Sequence, residues 1–429
     1  MGVKDPPSVM PVRAMTSQRW ILANGLTVIV TENPVANIIA ARLFVRGGSL
    51  TETQTTAGLA HLLAATLTQG SAAHLPWVMA DQIERAGAGL SVQAAPDYWV
   101  LSLKTVASEF ETILALAAQV LRSPTFLENQ VVRSQQLLIQ DIQTRQEQPF
   151  MVAMQNLRQA LYPNHPYAHA TPNNAACLEQ ITTADLQQAH DTYFRPDQVV
   201  ISIAGRVNPT TILDWVEQYF GDWSRPSPQP TLPNFALAPA SNSPQTTLLS
   251  SNQVTLMLGH LAAAVHEPDY VPLKILHTYL SNGFSSRLST ELREKRGLAY
   301  EISGFYPTRL DPSHWVVHLA TAPHQAKLAL SLLEAEIAQL WQQPLSTEVS
   351  DRAKRKLLGQ YALGKQTNVQ LAHLAGWYEC LGLGLAYDAA FQAQVMATTP
   401  TELYQTAQRW LQCPIRSLVG TESALASLG

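Results

Sequence analysis

The chain has 429 residues, of which 46% are apolar and 14% charged, with a formal net charge of -4. This length exceeds one ordinary core and predicts two to three domains, each able to bury its own interior. So sparse and slightly acidic a charge excludes general electrostatic attraction to nucleic acid or anionic lipid, and neither partner is expected.

Residues 1–17 read as an N-terminal extension, because "MGVKDPPSVMPVRAM" is rich in Pro and lacks the continuous apolar core of a signal peptide. The first half, residues 18–225, opens on strand-like "RWILANGLTVIVTEN", with Asn24-Gly25 as a hairpin signal, and "NIIAARLFVRGGSL". An apolar helix "GLAHLLAATLTQGS" follows, then a helix around "LPWVMADQIERAGAG" and a strand pair in "LSVQAAPDYWVLSLKTV" turned at Pro96-Asp97. Helical periodicity dominates from about Glu109 to about Gln146, and "TADLQQAHDTYFRP" leads into a closing strand "QVVISIAG". A Pro-, Ser- and Asn-rich stretch makes residues 226–246 the expected linker.

The second half, residues 247–429, repeats this order. The strand "VTLMLGHLAA" precedes the helices "YVPLKILHTYLSN" and "SSRLSTELREKRG", the strands "LAYEISGFYPTR" and "HWVVHLATA", and long helical segments from about His324. "TELYQTAQRWLQ" and the strand "RSLVGTE" close it. The predicted class is α+β: two similar halves, each a mixed, mostly antiparallel sheet with helices packed on one face.

Cys177, Cys380 and Cys413 are far apart and show no C-x-x-C spacing, which argues against a disulfide scaffold or a thiolate zinc site and favours a reducing, cytoplasmic setting. No stretch approaches the roughly 18 apolar residues of a membrane helix. The basic run Arg352 to Lys356 falls in a helical pattern and reads as a solvated face.

The segments "NGLTVIV", "VRGGSLTETQTTAGLAHLL", "LTQGS", "RPDQVVISIAGRV" and "SSRLSTELREKRGLAYEISGFY" stand in an order and spacing that resemble the pitrilysin and mitochondrial-processing-peptidase family of zinc proteases, the inverzincins. The similarity runs from about Gln18 to about Thr421. It implies a clamshell whose two α+β halves enclose a chamber for an extended peptide.

The family's zinc motif is H-x-x-E-H on a helix, with a Glu ligand in a later helix. Two histidines at i and i+4 bind the ion from one helical face, and the Glu between them takes the proton from metal-bound water. Here the motif aligns as His61-Leu62-Leu63-Ala64-Ala65, and the later ligand aligns with Asp141 in "LLIQDIQTR". Ala64 stands where the base should be and Ala65 where the second histidine should be. One histidine and one aspartate cannot supply three protein ligands, so this chain is expected to hold no metal and the zinc motif is read as degenerate. For His61 the plainer reading, a packed or hydrogen-bonded histidine, is preferred. His165 and His169 share i,i+4 spacing but carry Pro166 between them, and His314 and His318 lie on a strand-like segment roughly 13 Å apart. Neither pair is expected to bind zinc.

The family also places an Arg and a Tyr, seven apart, in the second half, reaching the scissile peptide. This sequence keeps both, as Arg293 and Tyr300. A guanidinium and a phenol hydroxyl can donate hydrogen bonds to a substrate carbonyl and to the oxyanion formed from it. Gly297 should end the helix, placing Arg293 in its last turn and Tyr300 in the next strand. The plainer reading makes Arg293 a helix-end cation and Tyr300 a strand aromatic. Arg287 and Arg296 read as salt-bridge or surface residues, and Ser281 to Leu288 resembles the family's Gly-containing loop before that helix, where a substrate contact is a lesser expectation.

An emptied zinc motif beside an intact Arg/Tyr pair resembles one half of a split enzyme. The resemblance therefore implies the non-zinc-binding subunit of a heterodimeric peptidase, inactive alone, whose homologous partner carries H-x-x-E-H and the zinc. The alternative is a non-enzymatic peptide-binding or scaffold protein resembling respiratory core subunits, with a homodimer open for the isolated chain.

Overall fold

The computed structural model describes residues 17–225, 235, 243–426 and 428. The expected N-terminal extension up to residue 16 and nearly all of the expected linker lie outside the described residues. In the first half, β1 (Ser17–Ile21) and β2 (Thr27–Glu32) form a hairpin, and β3 (Ile38–Arg46) leads to α1 (Leu59–Leu67) and α2 (Pro76–Arg85). The pair β4 (Gly89–Ala94) and β5 (Tyr98–Val106) follows, then α3 (Phe110–Arg122), α4 (Glu128–Gln146), α5 (Pro149–Leu161), α6 (Ala175–Gln180) and α7 (Thr183–Tyr193). β6 (Val199–Gly205) and α8 (Pro209–Phe220) close the half.

The second half has β7 (Gln245–Leu248), β8 (Val254–Ala262) and α9 (Tyr270–Ser281), then a π-helical turn at Ser289–Glu294. β9 (Glu301–Phe305) and β10 (Ser313–Thr321) precede α10 (Ala326–Gln342), α11 (Thr347–Leu363), α12 (Asn368–Cys380), α13 (Tyr387–Ala397) and α14 (Pro400–Trp410). It ends with β11 (Ile415–Gly420) and α15 (Glu422–Ala426).

The first sheet runs β1-β2-β6-β3-β5-β4 and the second β7-β11-β8-β10-β9. Setting β2 against β7 and reading on in chain order, the second sheet repeats the strand order of the first. The repeat includes the one parallel pair in each sheet, β2 with β6 and β7 with β11. The two-half α+β class expected from the sequence is the fold observed.

Two departures from the sequence reading matter. The strand β7 lies partly inside the expected linker, since Gln245 and Thr246 belong to it; a four-residue strand, "QTTL", carries too little alternation to be read. Of the basic run, Lys354 is buried against the carbonyl of Met396 and Lys356 donates to the Ser285 hydroxyl, while Arg352 and Arg355 are exposed. Consecutive helical residues point in different directions, so the run wraps from solvent into the packed side.

Central strands are buried along their whole length: every residue of β6 and of β10 is buried, whereas the edge strand β4 alternates exposed and half-buried. Full burial requires cover on both faces of a sheet. One face of each sheet carries the helices of its own half. The other face is covered by exchange. α12 of the second half lies on β3 and β6 of the first, and α5 of the first half lies on β8 and β11 of the second. Polar contacts seal both crossings: Asn368 Nδ2 donates to the Ile38 carbonyl at 2.7 Å, and Ser417 Oγ donates to the Ala153 carbonyl at 2.9 Å.

Candidate functional site

The helix α1 begins at Gly58, whose φ of 102° suits glycine alone, and no side chain caps it in the usual way. Glu52 takes that part: its carboxylate accepts from the Gly58 N–H at 3.1 Å and the Ala60 N–H at 2.7 Å, satisfying donors that a helix start leaves open. Burial pushes its carboxyl up to about 8, against the lowering effect of those N–H groups. Leu62, Leu63 and Leu67 fill the first core, and the Trp99 indole donates to the Ala60 carbonyl at 2.9 Å. Position and rotation of α1 are thereby fixed.

His61 and Ala65 share the half-buried stripe of α1, while Ala64 is buried. α4 packs against α1 and α5 against α4. This brings Arg145 of α4 and Arg158 of α5 to His61. The His61 imidazole is pressed down to about 4, first by burial and then by the Arg145 and Arg158 charges, so it is neutral at pH 7. Asp141, on the same helix as Arg145, forms an ion pair with it. Three buried nitrogens here have no hydrogen-bond partner among the described residues: His61 Nδ1, Arg145 Nη1 and Arg158 Nε. Arg158 spends one donor, Nη1, on the Thr171 hydroxyl at 3.0 Å. Sequence reasoning missed both arginines, because lone cations in helical patterns look like surface residues.

The two other histidine pairs weighed in the sequence go to separate partners. His165 Nε2 meets Asp311 at 3.0 Å while His169 Nδ1 meets Asn173 at 3.3 Å. His314 Nδ1 lies 3.1 Å from the Tyr162 hydroxyl, and His318 Nδ1 lies 3.3 Å from the Ser303 hydroxyl. Among the described residues no group of three or more His, Cys, Asp or Glu is placed to hold a metal ion.

Arg293 sits in the π-helical turn, and Gly297, at φ 62°, reverses the chain after it. Tyr300 lies one residue before β9, with its N–H on the Ala320 carbonyl at 3.0 Å. Its side chain is 63% exposed. The Arg293 guanidinium lies 5.8 Å from the centre of the Phe284 ring, itself exposed. Among the described residues neither the guanidinium nor the Tyr300 hydroxyl has a hydrogen-bond partner, and no contact joins either to His61. Arg287 and Arg296 are instead engaged, Arg287 with Glu336 at 2.7 Å and Arg296 with Glu291 at 3.0 Å.

Seven histidines, His61, His190, His260, His277, His314, His318 and His373, are held below their ordinary value, with burial the largest cause for each. The unfolded chain takes up these protons near pH 6.5, whereas the fold refuses them until near pH 4 for most. Their contribution to stability is therefore complete above about 6.5 and is lost as pH falls from there toward about 4. Glu52 acts oppositely, since its raised carboxyl favours the fold at low pH and costs stability as pH rises toward about 8. The Asp97 carboxyl, also raised by burial, acts in the same sense as Glu52, and seven against two predicts a lower urea midpoint at pH 5 than at pH 7. An equal or higher midpoint at pH 5 would refute the balance.

Comparison with known proteins adds to this geometry. Residues 27–174 match the family model described as insulinase (peptidase family M16), and residues 180–357 match the one described as peptidase M16 inactive domain. An uncharacterized zinc protease of Bacillus subtilis, YmxG, is 23% identical over 358 residues, covering 83% of this chain and 86% of its own. One from Mycobacterium tuberculosis is 24% identical over 356 residues, covering 82% and 81%. A crystal structure of a peptidase M16 inactive domain from Pseudomonas fluorescens superposes with a TM-score of 0.87 at 25% identity, covering 95% of this chain and 98% of that one. A protease from Helicobacter pylori, at 18% identity, shares the fold with a TM-score of 0.87.

The zinc implied by those relatives' names does not fit the residues at α1. A catalytic zinc site needs three protein donors. Here Ala64 and Ala65 offer no donor atom, the Asp141 carboxylate is paired with Arg145, and the remaining imidazole lies within electrostatic reach of two guanidinium charges.

Proposed function

The chain belongs to the M16 peptidase family, and from that premise we propose that it is the non-zinc-binding subunit of a two-chain peptidase, contributing Arg293 and Tyr300 to peptide hydrolysis on a homologous partner. One observation carries the reading. The position of the metal site is occupied by alanines and flanked by arginines, while the Arg293 guanidinium and Tyr300 hydroxyl stand exposed with no partner of their own.

Arg287 and Arg296, on the same segment, are tied into the fold by ion pairs. Arg293 and Tyr300 are displayed instead, on a turn and on the residue leading into the edge strand β9, with the backbone fixed by the Gly297 N–H on the Arg293 carbonyl and by the Tyr300 N–H on the Ala320 carbonyl. Their hydrogens are free to donate to a peptide carbonyl and to hold negative charge as it develops there, which is the work of preorganised donors. The edge strands β4 and β9 can accept an extended peptide as an additional strand. Zinc and the general base would be supplied by the partner's H-x-x-E-H helix. No helix among the described residues is long and apolar enough to cross a membrane; we place the assembly in the cytoplasm on the unpaired cysteines.

The test is zinc analysis and cleavage of a quenched-fluorescent peptide library by the purified chain, alone and mixed with H-x-x-E-H homologues of its own cell. The expected result is neither zinc nor cleavage alone, with cleavage appearing on mixing. Stoichiometric zinc and cleavage by the chain alone would overturn the proposal. Inactivity with every homologue would move the reading to a peptide-binding scaffold.

A further inference from the structure

We propose that the vacated metal position has become an oxyanion receptor, in which Arg145 and Arg158, with His61, bind a carboxylate group of a peptide. The starting point is an imbalance of donors. Guanidinium groups only donate, so each buried N–H requires an acceptor, and leaving one without is costly. Arg145 Nη1 and Arg158 Nε are both buried and both unmatched, on adjacent helices whose guanidinium charges reach the same imidazole electrostatically. His61 Nδ1 is the third unmatched nitrogen, and a neutral imidazole can present its hydrogen there.

The charges point the same way. Arg158 lies within electrostatic reach of Arg145 and of Arg309. Three cations in one neighbourhood repel one another and call for compensating anions. Arg309 is compensated: it acts on the buried Asp97 and lies 5.7 Å over the Tyr167 ring. Asp141 answers only Arg145, and only through Nη2, with its carboxylate 44% exposed. No carboxylate among the described residues answers Arg158. A planar carboxylate, accepting from two guanidinium groups at once, supplies the missing acceptors, and this is the geometry in which arginine exceeds lysine. A helix that elsewhere in the family would hold a cation thus presents the opposite polarity. Cation-binding residues were not merely lost; the neighbouring positions demand an anion.

The inference rests on the peptide-binding part of the proposed function but not on any partner, so its test uses this chain alone. Isothermal titration calorimetry would compare one neutral peptide with a free C-terminal carboxylate, the same peptide amidated, the amidated peptide with one internal glutamate, and sodium phosphate. Binding of the free-acid or the glutamate peptide, but not of the neutral amide, is expected, and the two acidic arms distinguish a chain terminus from an acidic side chain. Arg158→Gln should weaken that binding by roughly 10- to 100-fold, as loss of a charge-assisted bond does, and Arg158→Lys should recover part of it. A melting curve accompanies each variant: because Arg158→Gln removes an uncompensated cation, the ligand-free variant is expected to melt no lower than the parent. Equal binding of the amide, binding of phosphate only, or affinity untouched by a folded Arg158→Gln variant would each overturn the receptor.

Discussion

Arg293→Ala or Tyr300→Phe is expected to lower turnover by the reconstituted pair by about 10²-fold or more, the usual consequence of removing an oxyanion donor. Neither change should disturb the fold. Tyr300 is 63% exposed, and its contribution to β9 is made by its backbone, which Phe retains. Arg293 makes one contact, over an exposed ring at 5.8 Å, and forms no ion pair among the described residues. Substitutions at such places change stability little, so a kinetic loss can be attributed to chemistry. The form of the loss is diagnostic. A donor engaged only in the transition state lowers kcat and kcat/KM together, whereas one engaged equally with bound substrate raises KM alone. Steady-state kinetics of the mixed subunits, with urea midpoints of each variant, would read both. Unchanged turnover with a confirmed active pair would remove Arg293 and Tyr300 from the mechanism and leave the chain as chamber wall.

Part of the geometry at α1 was legible in the sequence because helical spacing is rigid. Residues at i and i+4 must share a face, so His61 and Ala65 could be placed together; that a ligand is expected at Ala65 came from the family resemblance and not from the spacing. The turn at Gly297 was equally readable, since glycine tolerates the positive φ found there. The arginines at His61 were not. Arg145 pairs with Asp141 four residues before it, a pattern that suits any solvated helix, and Arg158 belongs to a helix beyond the periodic stretch that was recognised. Their meaning arises only when α1, α4 and α5 pack and leave donors without acceptors.

The same distinction holds for the fold. Apolar runs such as "VVISIAG" and "HWVVHLAT" were readable as strands and the repeat of element order as two halves, but the expected cover lay on one sheet face only, whereas these strands are buried along their whole length. Periodicity shows that a helix has an apolar face but not whose sheet that face meets. Hence the exchange of α5 and α12 between halves was invisible, although it supplies the second cover that those strands require.

That exchange makes a strong prediction. At each crossing one element is stripped to glycine: a Cβ on Gly376 of α12 would stand 2.6 Å from the Phe44 ring and 2.7 Å from Ser202 Cβ, and one on Gly259 of β8 would stand 2.7 Å from Leu157 of α5. Phe44 is fully buried, so the ring has nowhere to retreat. Gly376→Ala would recover about 1 kcal/mol of helix propensity against the clash. Gly376→Val adds more volume with less of that compensation, and its overpacking should cost about 1–3 kcal/mol. Because α12 belongs by sequence to the second half and by packing to the first, the damage should reach both. Hydrogen exchange is expected to accelerate in β3 and β6 of the first sheet and also in β8 and β11 of the second, as α12 loosens and α5 follows through the shared interface. Loss of protection confined to the first sheet would mean that the two halves fold as independent units, with the crossing helices as ornaments rather than ties. Coordinated loss would make the pair of halves one cooperative body, a rigid frame able to hold Arg293 and Tyr300 at a fixed place relative to the peptide they are proposed to meet.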